Sequence, residues 1–437
     1  MNGLLEVDGM NFPESLKWCE EYIDVAASAA GAQRFGKERE KAAKSLISLG
    51  WPTKKDELWR YTDLGPYQSK NLSLPVNGAG QIKTELLDKI PFPRMVFING
   101  IYSDIHSDCA AFNGASVFRL GDPASLYNCS AALDKAFQLS NAKESFFLSM
   151  NGALFTDILG IVVTDSLERL HIVHLNNSSG AAILPRMLII VDGGGKLGLS
   201  EYYFGEGEGY VFNEVTELFI GEGAQVELSS IVDEGSASFH ISQIFVEQQS
   251  SANLSLNLLC KGGGSVRQES YISLEGEHCK AQVRGLSVME SSALSDNLVE
   301  MKHSKPNSRS SQKFKGVYSG SSAGVFRGTI IVEKEAIGTE AYQSHDSILL
   351  TDTASATTLP HLKIWADEVK CSHGATVGQL DDESIFYLRS RGIAEDEARK
   401  ILLNGFMKDV LDEVECSVVK DNFVACKLEQ SLLSGGK

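Results

Sequence analysis

The stretch Leu218-Phe219-Ile220-Gly221-Glu222-Gly223-Ala224-Gln225-Val226-Glu227-Leu228 reads as a short apolar strand, a polar glycine turn, one small residue and a second strand of alternating polarity. Period-two alternation puts every other side chain on one face, and glycine supplies the backbone freedom of a tight turn. Comparable units follow in Ile244-Phe245-Val246 with Ala252-Asn253-Leu254-Ser255-Leu256, and in Tyr271-Ile272-Ser273-Leu274 with Ala281-Gln282-Val283. They recur at roughly 20–30 residues, the period of solenoids and stacked sheets. No helical pattern of ten or more residues separates them, which argues against a sheet built by helical crossovers. A sandwich and a β-helix both remain, and small residues at the turns with even strand spacing favour the β-helix. Stacked coils rise ~4.8 Å each, so about ten coils make a rod on the order of 50 Å long.

The pattern changes on both sides of this core. Residues 1–93 read as an N-terminal helical region. Phe35 to Leu49 sets Lys37, Glu38, Arg39, Glu40, Lys41 and Lys44 around Ala42, Ala43, Leu46 and Ile47, and Gly50 stops it. Residues 94–380 carry the β pattern. Residues 381–437 return to helix: Asp381 or Asp382 caps Glu383 to Arg391, and Gly392 ends it. A second helix from Ala394 repeats Ala398, Ile401, Leu402, Phe406, Val410, Leu411 and Val414 at three- and four-residue intervals. Helices at both ends can cover the open edges of a rod.

The 437 residues, 43% of them hydrophobic, suit a globular protein with a large core. No apolar run is long enough to span a bilayer, and Met1 to Asp8 lacks the basic and apolar regions of a secretory signal. A cytoplasmic location is therefore expected, with no membrane partner. Eight cysteines spread over this length are expected to be free thiols. The net charge of −17 argues against nucleic acid, and the basic run from Lys302 to Arg309 reads as a solvated loop.

Near the C-terminal end, Val369-Lys370-Cys371-Ser372-His373-Gly374 places a thiol and an imidazole at i and i+2, on one face of a strand. Such donors suit iron, zinc or a sulfur-bearing intermediate, but two ligands leave a site incomplete. A buried strand cysteine beside a turn histidine is the plain structural alternative. Gly193-Gly194-Gly195-Lys196-Leu197-Gly198 lacks the Ser or Thr and the first glycine of a phosphate loop, and reads as a turn between coils, as does Gly262-Gly263-Gly264. His171, His174, His345 and His361 fit no zinc spacing and are expected to be hydrogen-bonded or half exposed. No Ser-His-Asp order, carboxylate pair or nucleophile elbow stands out.

Val369 to Ile393, reading VKCSHGATVGQLDDESIFYLRSRGI, closely resembles the C-terminal signature of the SufB/SufD family of the Suf iron–sulfur cluster assembly machinery. Trp51-Pro52-Thr53 with Glu57-Leu58-Trp59-Arg60-Tyr61-Thr62 resembles the N-terminal signature. Leu349-Leu350-Thr351-Asp352 and Leu359-Pro360-His361-Leu362-Lys363-Ile364 fit between them. The resemblance implies a mainly β fold, a right-handed parallel β-helix between helical regions. It points to the SufD branch, because the coil Asp352 to Leu359 lacks the cysteine that SufB carries there.

The same resemblance implies a SufBC2D-type complex, with a heterodimer to SufB through the β-helix cores and the SufC ATPase on the C-terminal helices. Leu388, Ile393, Ala398, Leu402 and Phe406 are the candidate residues for the SufC dock. His373 and Cys371 become candidate ligands for iron or a nascent iron–sulfur cluster, with SufB supplying the rest. The chain would then be a non-catalytic scaffold subunit, ATP hydrolysis lying in SufC, and a homodimer without SufB is compatible with the shared core. One rival is a β-helix polysaccharide-modifying enzyme, for which no carboxylate cluster is visible. The other is a standalone metal- or flavin-binding protein; reduced flavin is linked to the family, but no dinucleotide fingerprint is visible.

Overall fold

The alternation around Gly221 becomes strand Val211–Ile220, a turn, and strand Gln225–Asp233, and these two strands belong to opposite sheets. The computed structural model describes residues 12–424 apart from 30, 69, 76–83, 109–111, 123 and 125–129. At the turn, a Cβ on Gly221 would lie 2.6 Å from the Gly193 nitrogen of the turn before it, and Gly223 has φ +69°. Ala224 then enters the interior beside Ala252 and Cys279, a buried corner ladder of small side chains. The triple glycines behave as expected, as turns between strands.

Pairing along each sheet is parallel and joins residues one turn apart. Gln225 pairs with Asn253, then Lys280, Arg309, Glu340 and Lys370 follow in register, so each turn advances by 27 to 31 residues. The fold is a parallel β-solenoid of about eight turns, 42% strand and 24% helix, with helices at both ends. The expected ten coils are thus too many. Most strands run ten residues, as in Ser265–Leu274 and Lys280–Met289, so each turn consumes more chain than short strands would.

Inward side chains such as Val226, Leu228, Leu254, Leu256, Ala281 and Val283 fill the solenoid. The outer face of one sheet, through Ile231, Leu259, Leu286 and Val317, packs on Leu403, Met407 and Val410 of the C-terminal helices. The other sheet is covered from the N-terminal side, where Trp59 meets Phe147 at 5.1 Å and Phe147 meets Phe239 at 5.2 Å between ring centroids. Helix Gly36–Leu49 stops at Gly50 with φ +61°. Asp381 caps helix Asp382–Ser390 by accepting from the Glu383 and Ser384 amides, and Gly392 follows with φ +89°. Helix Glu395–Leu411 then lies along the rod. Among the described residues, no helix is long and apolar enough to cross a membrane. Cys19, Cys260, Cys279, Cys371 and Cys416 are free thiols.

Candidate functional site

Among the described residues, strands Ser355–Ile364 and Lys370–Gly378 are the last of their sheets, and each pairs on one side only. The inward column Leu228, Leu256, Val283 continues through Gln312 and Gln343 and ends on His373. Cys371 ends the adjacent inward column after Ala281, Ser310 and Ala341. The face that the two side chains share is therefore the interior face of the solenoid. With no further turn stacked beyond it, His373 is exposed, while Cys371 is half-buried against Ile330, Val332, Ala336, Ala341 and Ala366. Burial raises the Cys371 thiol above its ordinary value, which favours the protonated form until a cation joins it.

The interior turns polar as it approaches this end. Among the described residues neither amide atom of buried Gln312 has a hydrogen-bond partner, and Gln343 donates weakly to the Gly328 carbonyl at 3.4 Å. His345 Nδ1 lies 2.5 Å from Thr358 Oγ1, and its Nε2 lies 3.2 Å from Ser347 Oγ. Burial lowers its pKa to about 4, so this imidazole is neutral near pH 7. His361 sits on the outward face and is exposed. Around the open end, Trp365 is 58% exposed, and Tyr342, Ile364 and Val377 are exposed too. Two adjacent edges with unpaired backbone groups and apolar side chains form a template for another chain's strands.

The C-terminal helices lie against the outer face of the same rod. Arg284 Nε meets Glu413 Oε2 at 2.7 Å, and Lys313 and Lys315 meet Asp409 at 2.9 and 2.7 Å. Ala398 is fully buried, so it packs on the protein itself and is withdrawn from the expected dock. Leu388, Ile393, Leu402 and Phe406 are half-buried, and Lys315 Nζ lies 4.4 Å from the centre of the Phe406 ring. Among the described residues of these helices, Phe386 (73% exposed), Tyr387, Ile401 and Val424 are the large apolar groups left in solvent. Helical periodicity identified an apolar face but could not say which part the rod consumes.

Residues 174–406 match the family described as SUF system FeS cluster assembly, SufBD core domain. The chain belongs to the SufB/SufD family. It is 26% identical over 408 residues to an iron-sulfur cluster assembly SufBD family protein of Synechocystis, covering 89% of each chain. Over 422 residues it is 26% identical to the iron-sulfur cluster assembly protein SufD of Escherichia coli, covering 94% of this chain and 96% of that one. It is also 27% identical over 428 residues to protein ABCI7, chloroplastic, of Arabidopsis thaliana, covering 94% of this chain and 89% of the relative. Membership supports a role in iron–sulfur cluster assembly.

One group of residues escaped the sequence reading. His171 is hydrogen-bonded as expected, its Nδ1 3.1 Å from the Tyr202 hydroxyl. His174 is not: it is buried, and neither ring nitrogen has a hydrogen-bond partner among the described residues. Ligand atoms of His174, Glu201 and Glu214 lie within 4.8 Å of one another. These residues come from three strands and both sheets, so no linear spacing marks them.

Proposed function

We propose that this chain is a non-catalytic, SufD-type scaffold subunit of a SufBC2D-type complex, which holds iron or a nascent cluster at its junction with SufB. The observation that supports this reading is the open end of the solenoid. Among the described residues two sheet edges lack a neighbour there, and the inward columns end on exposed His373 and half-buried Cys371. A second solenoid stacked end to end would extend both sheets, bury Trp365, Ile364 and Val377, and enclose the imidazole and thiol at the seam. Those two donors would leave iron under-coordinated, so the partner's groups complete the sphere around the cargo. Without that partner, the same edges can pair with a second copy of this chain.

On this reading the SufC ATPase docks on the C-terminal helices, where Phe386, Tyr387 and Ile401 project into solvent. Through the ion pairs of Glu413 and Asp409 with Arg284, Lys313 and Lys315, movement of the helices would be transmitted to the rod. The test is His373→Ala in the complex co-expressed with SufB and SufC. The side chain is exposed, so stability should stay within about 0.5 kcal/mol and subunit composition should not change. Iron and cluster content should fall to background. Normal iron in a fully assembled variant complex would reject the assignment of His373. Trp365→Asp should instead separate the heterodimer on size exclusion; an intact heterodimer would move the seam elsewhere.

A further inference from the structure

His174 on strand Ser166–Asn176, Glu201 on strand Lys196–Gly205 and Glu214 on strand Val211–Ile220 converge inside the N-terminal turns of the solenoid. The His174 ring is held between two others, 5.3 Å from Phe97 at 17° and 4.9 Å from Tyr203 at 7°. Stacking on both faces fixes the ring plane, and its nitrogens then point within that plane at groups other than the stacking partners. Nε2 lies 3.8 Å from Glu214 Oε1, too far for a hydrogen bond. Tyr203 donates its hydroxyl proton to Glu214 Oε2 at 2.5 Å, which orients the carboxylate and leaves Oε1 toward the imidazole. Glu201 Oε1 also lacks a partner. Among the described residues, no lysine or arginine is ion-paired with either carboxylate.

Buried polar groups of this kind are costly unless something pairs with them. One imidazole and two carboxyl groups face one another here, and among the described residues both imidazole nitrogens and Glu201 Oε1 have no hydrogen-bond partner. His174 and Glu214 also line a cavity of about 40 Å³ together with Asn99, Ile101 and Arg186, which has room for an ion or a water or two. We propose that His174, Glu201 and Glu214 form a binding site for one divalent first-row transition ion, of the zinc or ferrous class, separate from the open end of the solenoid. One imidazole with two carboxylates is a donor set for such ions, whereas calcium and magnesium prefer all-oxygen sites. In a tetrahedral site, bonds of about 2.1 Å hold ligand atoms about 3.4 Å apart, so atoms now within 4.8 Å of one another need to close by about 1.4 Å at most. Tyr203 acts as the outer partner that orients Glu214.

The site is tested in the full chain carrying Cys371→Ser and His373→Ala, which removes the donors of the open end. The chain is stripped with a chelator, given zinc, or ferrous iron without oxygen, then desalted and analysed for metal. About one ion per chain is expected, together with a raised melting temperature. Cobalt loading should show weak visible bands without thiolate charge transfer, since no sulfur is present in the set. Glu214→Gln and His174→Phe, the latter retaining the aromatic stack, should each lower bound metal to about a tenth or less. A folded parent chain that retains no metal, or variants that retain as much as the parent, would overturn the assignment. Either result leaves the reading of His373 untouched.

Discussion

Replacing Phe386 with serine should separate docking from folding. Phe386 is 73% exposed on helix Asp382–Ser390. An aromatic side chain offers about 200 Å² for burial, so the quarter already covered, at ~25 cal/mol per Å², stabilises the isolated chain by about 1 kcal/mol at most. The exposed remainder is about 150 Å², which at the same rate could contribute about 3.5 kcal/mol to a partner that covers it fully. Incomplete coverage halves this to about 2 kcal/mol, a loss of about 30-fold in affinity. The assay is calorimetric titration of the chain with the SufC ATPase, beside urea denaturation of the chain alone. The expected result is a large loss of affinity with a denaturation midpoint close to that of the parent. Unchanged affinity would show that the exposed aromatic does not face the ATPase. An unfolding free energy lowered by several kcal/mol would show that the ring supports the fold.

Leu403→Ala should do the reverse, costing the isolated chain about 2–5 kcal/mol, because Leu403 is buried with Met407 and Val410 against the rod; a midpoint unchanged in urea would mean that the helix is not seated there. Lowering the pH should destabilise the chain through its buried histidines. His171, His303 and His345 are each held by burial at about 4, below the ordinary value of 6.5. Between those values the unfolded chain binds protons that the folded chain refuses, so stability present above pH 6.5 is lost as the pH falls toward 4. Urea midpoints measured across that window should fall, less steeply in His345→Gln, and a flat profile would contradict the burial of these rings.

Local chemistry made many elements legible in advance. Gly50 and Gly392 end their helices with positive φ, and the Asp381 side chain caps the start of the helix that Gly392 ends, because caps and stops depend on a few neighbouring residues. The shared face of Cys371 and His373 follows from strand geometry alone. The number of turns did not, since alternation marks that a strand exists more reliably than where it ends. Ala398 shows the same limit for a helix. Periodicity put it on the apolar face, and only the folded chain shows that this position is already covered.

By itself, the sequence determined the strand-and-turn rhythm of the core, the helices that flank it and the pairing of a thiol with an imidazole near the final turn. Each is set by side chains within a few positions of one another. Tertiary structure decided that the final turn is left uncovered, exposing His373, and that His174, Glu201 and Glu214 meet in the interior. In a solenoid, spatial neighbours lie about one turn apart or on the opposite sheet, so such meetings depend on register and stacking that no local pattern encodes.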